Sequence, residues 1–363
     1  MKNIISNKIK VSIIGCGRIC KKHILAIISE HERCELVAIC DNNQEKIKNI
    51  SDFYYSQLKE RNFPLNNLSK FNDYEELVKA KIDNKIGIDL IVLATPSGLH
   101  PIQTKIAAKS GINVCTEKPM AINLSDAKEM IKVCKESNVK LFVIKQNRLN
   151  PTLQILKKKV EENKFGNIGI VDINVFWQRP QSYYDQDEWR GTKELDGGAL
   201  LNQASHYVDL LEWIIGPLEG LYANVSTISR NIEVEDTAVI QLKWESGALG
   251  SMSVTMITYP KNIEGSITII GDKGSAKVGG IAVNEFEYSF FEEDINESLE
   301  KYNYKTESVY GFGHNFYYQN MIDNLISNIK PICDGESGLS SIKIISAAYK
   351  SAKEQRFIKL SSI

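Results

Sequence analysis

Charge of one sign, paired cysteines and long apolar runs are all missing from this chain. Its 363 residues carry 44 Lys and Arg against 45 Asp and Glu, a formal net charge of -1. A protein that holds nucleic acid needs a basic face to neutralise phosphates, so no nucleic-acid partner is expected. A local basic pocket for one phosphorylated ligand stays compatible with this balance. The seven cysteines include no Cys-x-x-Cys pair and no Cys/His cluster at metal-ligand spacing. A disulfide framework is therefore not expected, nor is a metal. Cys16, Cys20, Cys40 and Cys115 read as small buried hydrophobes in a reducing compartment. No run approaches about 18 apolar residues, and Met1 to Lys10 has no apolar signal core, so no membrane partner is expected and the cytoplasm is the expected location.

What is present is the composition of an ordinary globular protein, 43% hydrophobic and 25% charged, long enough for two or three domain-sized units. From Lys10 to Ile144, short Val/Ile/Leu runs alternate with amphipathic stretches. Strands are predicted at Val11–Ile14, Leu36–Cys40, Leu90–Ala94, Asn113–Thr116 and Lys140–Ile144, with helices at Ile19–Ser29, Tyr74–Ala80, Pro101–Lys109 and Leu124–Glu136. Near-continuous apolar strands separated by helices imply a parallel sheet covered on both faces, an α/β Rossmann dinucleotide-binding domain over residues 1–150.

After Asn150 the pattern changes. Pro151 and Gly166 bound a helix over 151–165. Alternating strands follow at Ile168–Gln178, Leu221–Ile228, Thr237–Trp244, Leu249–Met256, Ser266–Ile270 and Ala276–Val278, interrupted by a helix at Gly198–Ile215. This is an α+β domain over 151–363 with a large, mostly antiparallel open sheet. Its C-terminal helices, from about 313, are expected at Phe316–Ile329 and Ser340–Lys353 and to pack back towards the first domain. With no repeats and no low-complexity linker, the two domains are expected to share a large interface.

The turn Gly15-Cys16-Gly17-Arg18-Ile19-Cys20 follows a strand and opens a helix, the context in which a glycine fingerprint means a dinucleotide. Gly15 allows the tight turn, and Gly17 lets the backbone approach a pyrophosphate on the helix N-terminus. Cys20 stands where a third glycine is usual and is still small. The second strand ends in Asp41, placed to accept hydrogen bonds from an adenosine ribose. Asn42 and Asn43 follow it without an arginine, which favours NAD over NADP. The plain alternative is a helix-start turn with a surface aspartate.

Two later strand ends point to the same edge of the sheet. Thr95 and Ser97 offer hydroxyls after the strand at Leu90, although Ser97 and Pro101 also suit a helix start. Thr116-Glu117-Lys118-Pro119 ends the next strand. A cis Lys118–Pro119 bond would fix the direction of the lysine, and a nicotinamide cation beside it would lower its pKa for proton transfer. An isolated Glu-Lys-Pro would otherwise be an ordinary surface turn.

In the second domain, the stretch Asp196 to Asp209 is the densest polar helix. Asn202, His206 and Asp209 fall at i, i+4 and i+7 and so share one helix face, and Gly197-Gly198 would let a ligand approach its start. A single histidine on such a face is also commonly structural.

Together these residues resemble the glucose–fructose oxidoreductase/inositol dehydrogenase (Gfo/Idh/MocA) family over nearly the whole chain. The resemblance rests on Gly15, Gly17, Arg18 and Ile19 in the turn, Asp41, Thr95-Pro96, His100, Glu117-Lys118-Pro119 and the helix at 197–209. It implies that Lys118 and the helix histidine, His206, flank the reacting sugar hydroxyl against the nicotinamide ring, with Glu117 positioning the nicotinamide ribose. The family often has an aspartate where Asn202 stands. An amide is no base, so proton abstraction falls on Lys118 or His206, with Asn202 hydrogen-bonding the sugar.

A narrower resemblance comes from Lys145–Pro151, Trp189-Arg190-Gly191-Thr192 and Asn202–His206. These look like the branch that oxidises UDP-N-acetylglucosaminuronate (UDP-GlcNAcA) at C3. Gln146, Asn147 and Arg148 follow the last strand of the first domain. Arg179 and Arg190 lie in an aromatic loop with Trp177, Tyr183, Tyr184 and Trp189 that suits a carboxylate or diphosphate and a stacking base. A packed lid or an oligomer contact is the other reading of that loop. Gln203 joins Asn202 as a substrate candidate.

The expectation is thus an NAD-dependent nucleotide-sugar dehydrogenase feeding surface polysaccharide such as lipopolysaccharide, assembled as a homodimer or homotetramer. The alternatives are oxidation of UDP-N-acetylglucosamine, NADPH-dependent reduction of a 3-keto deoxysugar, and a non-catalytic NAD(H)-binding regulator.

Overall fold

A computed structural model of the protein describes residues 8–292, 298–306 and 313–363. The chain divides into two compact units: Met1–Ala121 with Ser125–Ile144 and His314–Leu339, and Ile122–Leu124 with Lys145–Gly313 and Ser340–Ile363.

The first unit alternates strand and helix: β1 (Ile9–Ile14), α1 (Cys20–Ser29), β2 (Cys34–Cys40), α2 (Gln44–Glu60), β3 (Ser69–Phe71), α3 (Tyr74–Ile82), β4 (Leu90–Leu93), α4 (His100–Lys109), β5 (Asn113–Thr116), α5 (Leu124–Glu136) and β6 (Leu141–Val143). The six strands are parallel in the order β3-β2-β1-β4-β5-β6. Leu90, Ile91, Val92 and Leu93 are all fully buried, so consecutive side chains on both faces of β4 are covered. Helices on each side explain why the strand reads as an unbroken apolar run, and each such side chain contributes roughly 1.5–3 kcal/mol relative to exposure. The order reverses direction between β1 and β4, and in sheets of this kind ligands bind outside the carboxyl ends at that reversal. The glycine turn and Thr95 lie there.

In the second unit, α6 (Pro151–Glu161) precedes β7 (Ile168–Phe176), the single turn α7 (Gln181–Tyr184) and α8 (Ser205–Ile215). The strands β8 (Leu218–Ser226), β9 (Thr237–Trp244), β10 (Leu249–Thr255), β11 (Glu264–Gly271), β12 (Gly274–Gly279) and β13 (Glu285–Phe291) follow. The chain closes with α9 (Gly313–Ser327), α10 (Gly335–Glu354) and β14 (Ile358–Lys359). The eight-stranded sheet has the order β13-β12-β11-β7-β10-β9-β8-β14 and is antiparallel except between β7 and β10. In β9, Ala238, Ile240, Leu242 and Trp244 are buried while Val239, Gln241 and Lys243 are exposed, the period-2 pattern of a sheet with one covered face.

One predicted boundary is corrected. The helix expected from Gly198 begins only at Ser205, and residues 199–204 form a hydrogen-bonded turn. Gly197 has φ +77°, off the right-handed helical region. The Ala204 N–H bonds to the Ala199 carbonyl at 2.8 Å, a five-residue closure. Asn202 therefore sits in the turn and does not share the helix face of His206 and Asp209.

All seven cysteines are buried, and none is joined in a disulfide. Among the described residues, no helix is long and apolar enough to cross a membrane. No group of three or more His, Cys, Asp and Glu among them is placed to hold a metal ion.

Candidate active site

The turn after β1 is shaped by backbone crowding. Gly15 has φ +97°, and a Cβ there would stand 2.5 Å from the carbonyl oxygen of Ala94 at the end of β4. Only glycine fits where the two strand ends converge. Gly17 faces the opposite situation, because a Cβ there would meet nothing within 4 Å. Ile19 at the start of α1 provides no side-chain cap for the first turn of the helix, whose N–H groups are the ones that attract anions. Arg18 is exposed, Ile19 half-buried. Asp41 braces this turn: one carboxylate oxygen accepts the Cys16 N–H at 2.8 Å and the other accepts the Asn43 N–H at 2.9 Å. Asn43 in turn caps α2 by accepting from the Glu45 and Lys46 N–H groups. A crowded glycine, an open one, an uncapped helix start and a fixed acid fit a dinucleotide, which Gly17, Arg18 and Ile19 would hold by its phosphates and Asp41 by its ribose.

The next two strand ends are tied to each other. Thr95 donates its hydroxyl to Gln103 Oε1 at 2.6 Å. His100 is fully buried, with Nδ1 3.0 Å from the Pro119 carbonyl oxygen and Nε2 3.1 Å from that of Thr95. It joins the loop bearing Thr95 and Pro96 to the Glu-Lys-Pro loop, where the Lys118–Pro119 bond is cis. Burial lowers the pKa of His100 from its ordinary value, and neutral imidazole donates to only one of the two carbonyls.

Glu117 ends β5 against a buried cluster that sequence reading missed. His23 Nε2 lies 3.1 Å from Glu117 Oε1, His314 Nε2 stands at 3.8 Å, and His23 Nδ1 is 2.8 Å from the Tyr318 hydroxyl. The two imidazoles meet edge to face at 5.6 Å. The second Glu117 oxygen accepts the Lys118 N–H at 3.1 Å. Burial alone would raise the Glu117 carboxyl, but His23 and His314 hold it well below the usual range. Burial also lowers His314. The available signal was His23 itself, a polar residue on the face of α1 that buries Cys20, Ile24 and Ile27.

In the second unit, α8 carries His206 and Asp209, both buried. Arg148 grips Asp209 with two bonds of 2.7 Å, and the Lys145 ammonium lies 3.5 Å from the same carboxylate. Burial would raise the Asp209 carboxyl, and the two cations hold it below its ordinary value. Arg148, read from sequence as a substrate residue, is thus engaged by Asp209. Gln146 Nε2 is 3.0 Å from His206 Nε2, so the amide donates and the imidazole accepts. Asn147 and Gln203 are buried, at 5% exposure each. Ahead of α8, Asn202 donates its amide to Asp196, and the turn rests on Glu235. Glu235 Oε1 accepts the Leu200 N–H and the Tyr349 hydroxyl, both at 3.0 Å. A Cβ on Gly198 would fall 1.8 Å from Glu235 Oε2, which is why the residue there is glycine. Burial raises the Glu235 carboxyl from its ordinary value.

The aromatic loop forms a ladder of cations and rings. Arg179 lies over Trp177 at 5.1 Å and Tyr183 at 5.4 Å, and Arg190 lies over Tyr183 at 4.5 Å and Trp189 at 4.6 Å. Arg190 also pairs with Asp187 at 3.0 Å. Tyr184 is buried against Tyr183, edge to face at 5.1 Å, while Arg179, Trp189 and Arg190 are half-buried. A half-buried stack of this kind offers planar faces and charge together.

Family models match both halves of the chain. The Gfo/Idh/MocA oxidoreductase family's NAD-binding Rossmann fold covers residues 9–145, and its C-terminal alpha/beta domain covers residues 157–360. The chain belongs to the Gfo/Idh/MocA oxidoreductase family. It is a dehydrogenase of that family, and NAD is its cofactor. Among solved structures, it is similar to the WlbA dehydrogenase from Bordetella pertussis in complex with NADH and UDP-GlcNAcA, at 44% identity and TM-score 0.85, covering 97% of this chain and 99% of that one. The WlbA dehydrogenase from Chromobacterium violaceum, also in complex with NADH and UDP-GlcNAcA, is 43% identical with TM-score 0.84, covering 98% and 97%. A myo-inositol 2-dehydrogenase from Thermotoga maritima is 26% identical over 365 residues, 98% of this chain and 99% of the relative.

Proposed function

We propose that this protein oxidises the C3 hydroxyl of UDP-GlcNAcA to the 3-keto sugar, a step towards surface polysaccharide such as lipopolysaccharide. The observation that carries the reading is full-length similarity above 40% identity to two dehydrogenases solved with NADH and UDP-GlcNAcA. Bound NAD supplies the hydride acceptor. Lys118 or His206 takes the hydroxyl proton. Glu117, fixed from behind by His23, directs the backbone N–H of Lys118 and so the start of its side chain. The stacked Arg179 and Arg190 give a nucleotide-sugar anion and its base a place to rest.

Seven buried cysteines outside any disulfide support a reducing, cytoplasmic setting. The exposed Val239 and Leu249 on neighbouring strands β9 and β10 support a homodimer or homotetramer built on the sheet. Light scattering of the eluted protein at monomer mass would refute that assembly.

Incubation with NAD and UDP-GlcNAcA should produce NADH absorbance or a 3-keto product by mass spectrometry, with UDP-N-acetylglucosamine a poorer substrate. Single-turnover conditions are needed if NADH stays bound. Neither signal, even with an added electron acceptor, would sink the reading. Lys118→Ala and His206→Ala identify the base: the correct one lowers kcat by about 100-fold or more.

A further inference from the structure

The aromatic loop that carries Arg179 and Arg190 is closed at its neck by the connection between β8 and β9, and all of these residues lie in the second unit. At the entry to the loop, Arg230 Nε donates to the Arg179 carbonyl at 2.7 Å. Gln181 and Asn231 clasp each other: the Asn231 N–H donates to Gln181 Oε1 at 2.8 Å, and Gln181 Nε2 donates to the Asn231 carbonyl at 3.3 Å. At the exit, the Glu233 N–H donates to the Gly191 carbonyl at 3.0 Å, and Glu233 Oε2 accepts the Lys193 N–H at 2.9 Å. Gly191 has φ +72°, and a Cβ there would stand 2.6 Å from Ile232 Cγ2. Residues 230–233 thus hold both ends of the loop. They are themselves fixed, because Asp236 is fully buried and accepts the N–H groups of Ile228, Ser229 and Arg230 at 3.0, 2.8 and 3.0 Å. Burial would raise the Asp236 carboxyl, and these backbone donors hold it below its ordinary value.

We propose that Arg230 and Glu233 are positioning residues that close the neck of the aromatic loop, so that Arg179 and Arg190 are set for the substrate anion before it arrives. The inference rests on the nucleotide-sugar reading given above. It makes the loop a preformed platform and not a lid that closes over its ligand. A platform already ordered spares binding the cost of ordering it, so the neck adds to affinity and leaves the chemical step alone. Glu233 separates this role from plain charge. Its carboxylate is exposed and has the same sign as a nucleotide-sugar anion. Removing it would help binding if charge alone mattered, and harms binding if the neck matters.

The test opens the neck from either side. Glu233→Ala should raise the KM for UDP-GlcNAcA by about 3- to 10-fold with kcat little changed. Glu233→Gln keeps an oxygen for the Lys193 N–H and should recover most of the loss. Arg230→Ala should raise the same KM by about 10- to 30-fold. The KM for NAD stays at the wild-type value in all three. Hydrogen exchange of the free protein gives a readout independent of turnover. Amides of residues 182–190 should be protected in the wild type and exchange about 10-fold faster or more in Arg230→Ala. An unchanged or lowered KM in Glu233→Ala overturns the proposal, as does a Glu233→Gln no better than Glu233→Ala. A wild-type loop that exchanges freely until UDP-GlcNAcA is added overturns it too.

If Arg230→Ala does not fold, the two Glu233 variants decide, because that side chain is exposed and its removal spares the core. A wild type that neither binds nor oxidises UDP-GlcNAcA overturns the substrate reading and this inference with it. A working wild type beside an unaffected Glu233→Ala overturns this inference alone.

Discussion

His23 Nε2 sits 3.1 Å from Glu117 Oε1, and the histidine is fully buried. A carboxylate removed from water in this way depends on its donors. Substituting His23→Leu should lower the unfolding free energy by about 3 kcal/mol, the scale of breaking a buried charged contact. In a chain that also carries Glu117→Gln the loss should shrink, because the amide has no buried charge to be compensated. Urea unfolding of the four proteins in this cycle measures the coupling, and strict additivity would refute it.

Acid should destabilise the protein in two stages. His100 and His314 have native pKa values below the ordinary 6.5, so the unfolded chain binds their protons first. Stability linked to them is present above 6.5 and falls as the pH drops below it. Glu117, whose native value lies well below 4.5, contributes stability present above 4.5 and lost as the pH falls further through the native value. Denaturant midpoints at a series of pH values should decline from about pH 6.5 and more steeply below about 4.5. A midpoint that stays level from neutral pH to pH 4 would contradict the histidine assignments, and one that stays level from pH 4.5 down to pH 2 would contradict that of Glu117.

Asp41 braces the glycine turn through Cys16, and a bound cofactor would set its ribose against the same carboxylate. Asp41→Ala should raise the KM for NAD by about 10-fold or more and erase the preference over NADP. Asp41→Asn keeps an acceptor for the turn and removes the charge, so it should relax the NADP discrimination with the smaller loss in NAD affinity. Initial rates with both cofactors decide this. An unchanged NAD/NADP ratio in both variants would show that the discrimination lies elsewhere.

The guanidinium groups of Arg179 and Arg190 both lie over the Tyr183 ring, at 5.4 and 4.5 Å. Tyr183→Ala leaves both arginines without their shared face, and Tyr183→Phe preserves it. The first should raise the KM for UDP-GlcNAcA by about 5- to 30-fold with little change in kcat, and the second should stay near wild type. Equal effects of the two would assign the role to the hydroxyl.

The central strands were readable because burial on both faces leaves an unmistakable apolar run, as in Leu90–Leu93. The strands that went unread, Ser69–Phe71, Glu285–Phe291 and Ile358–Lys359, all lie at sheet edges, where half of the surface is open and the pattern blurs. The start of α8 was misplaced for another reason. Asn202, His206 and Asp209 have helical spacing, but the positive φ of Gly197 and the acid packed on Gly198 make the preceding turn. Local pattern carries no trace of Glu235, which arrives from β9's entrance. The glycine turn, Asp41 and the Glu-Lys-Pro loop were legible since each follows a strand end within one continuous grammar. His314 was not, because it reaches Glu117 from the far end of the sequence.

That distant return has a consequence for how the protein is made. His314–Leu339 belongs to the first compact unit, with the Tyr317 hydroxyl within hydrogen-bond reach of the Val143 and Cys333 carbonyls and Phe142 bridging to Asp334 beside β6. A nascent chain that has just emerged past residue 145 already holds every strand of the parallel sheet, yet its β6 margin lies bare and Glu117 is short of one histidine. Synthesis must run through almost all of the second unit before the first is finished. Prematurely terminated chains should therefore be poor cofactor binders and ready substrates for proteases, and the ribosome delivers the first unit's closing piece among the last.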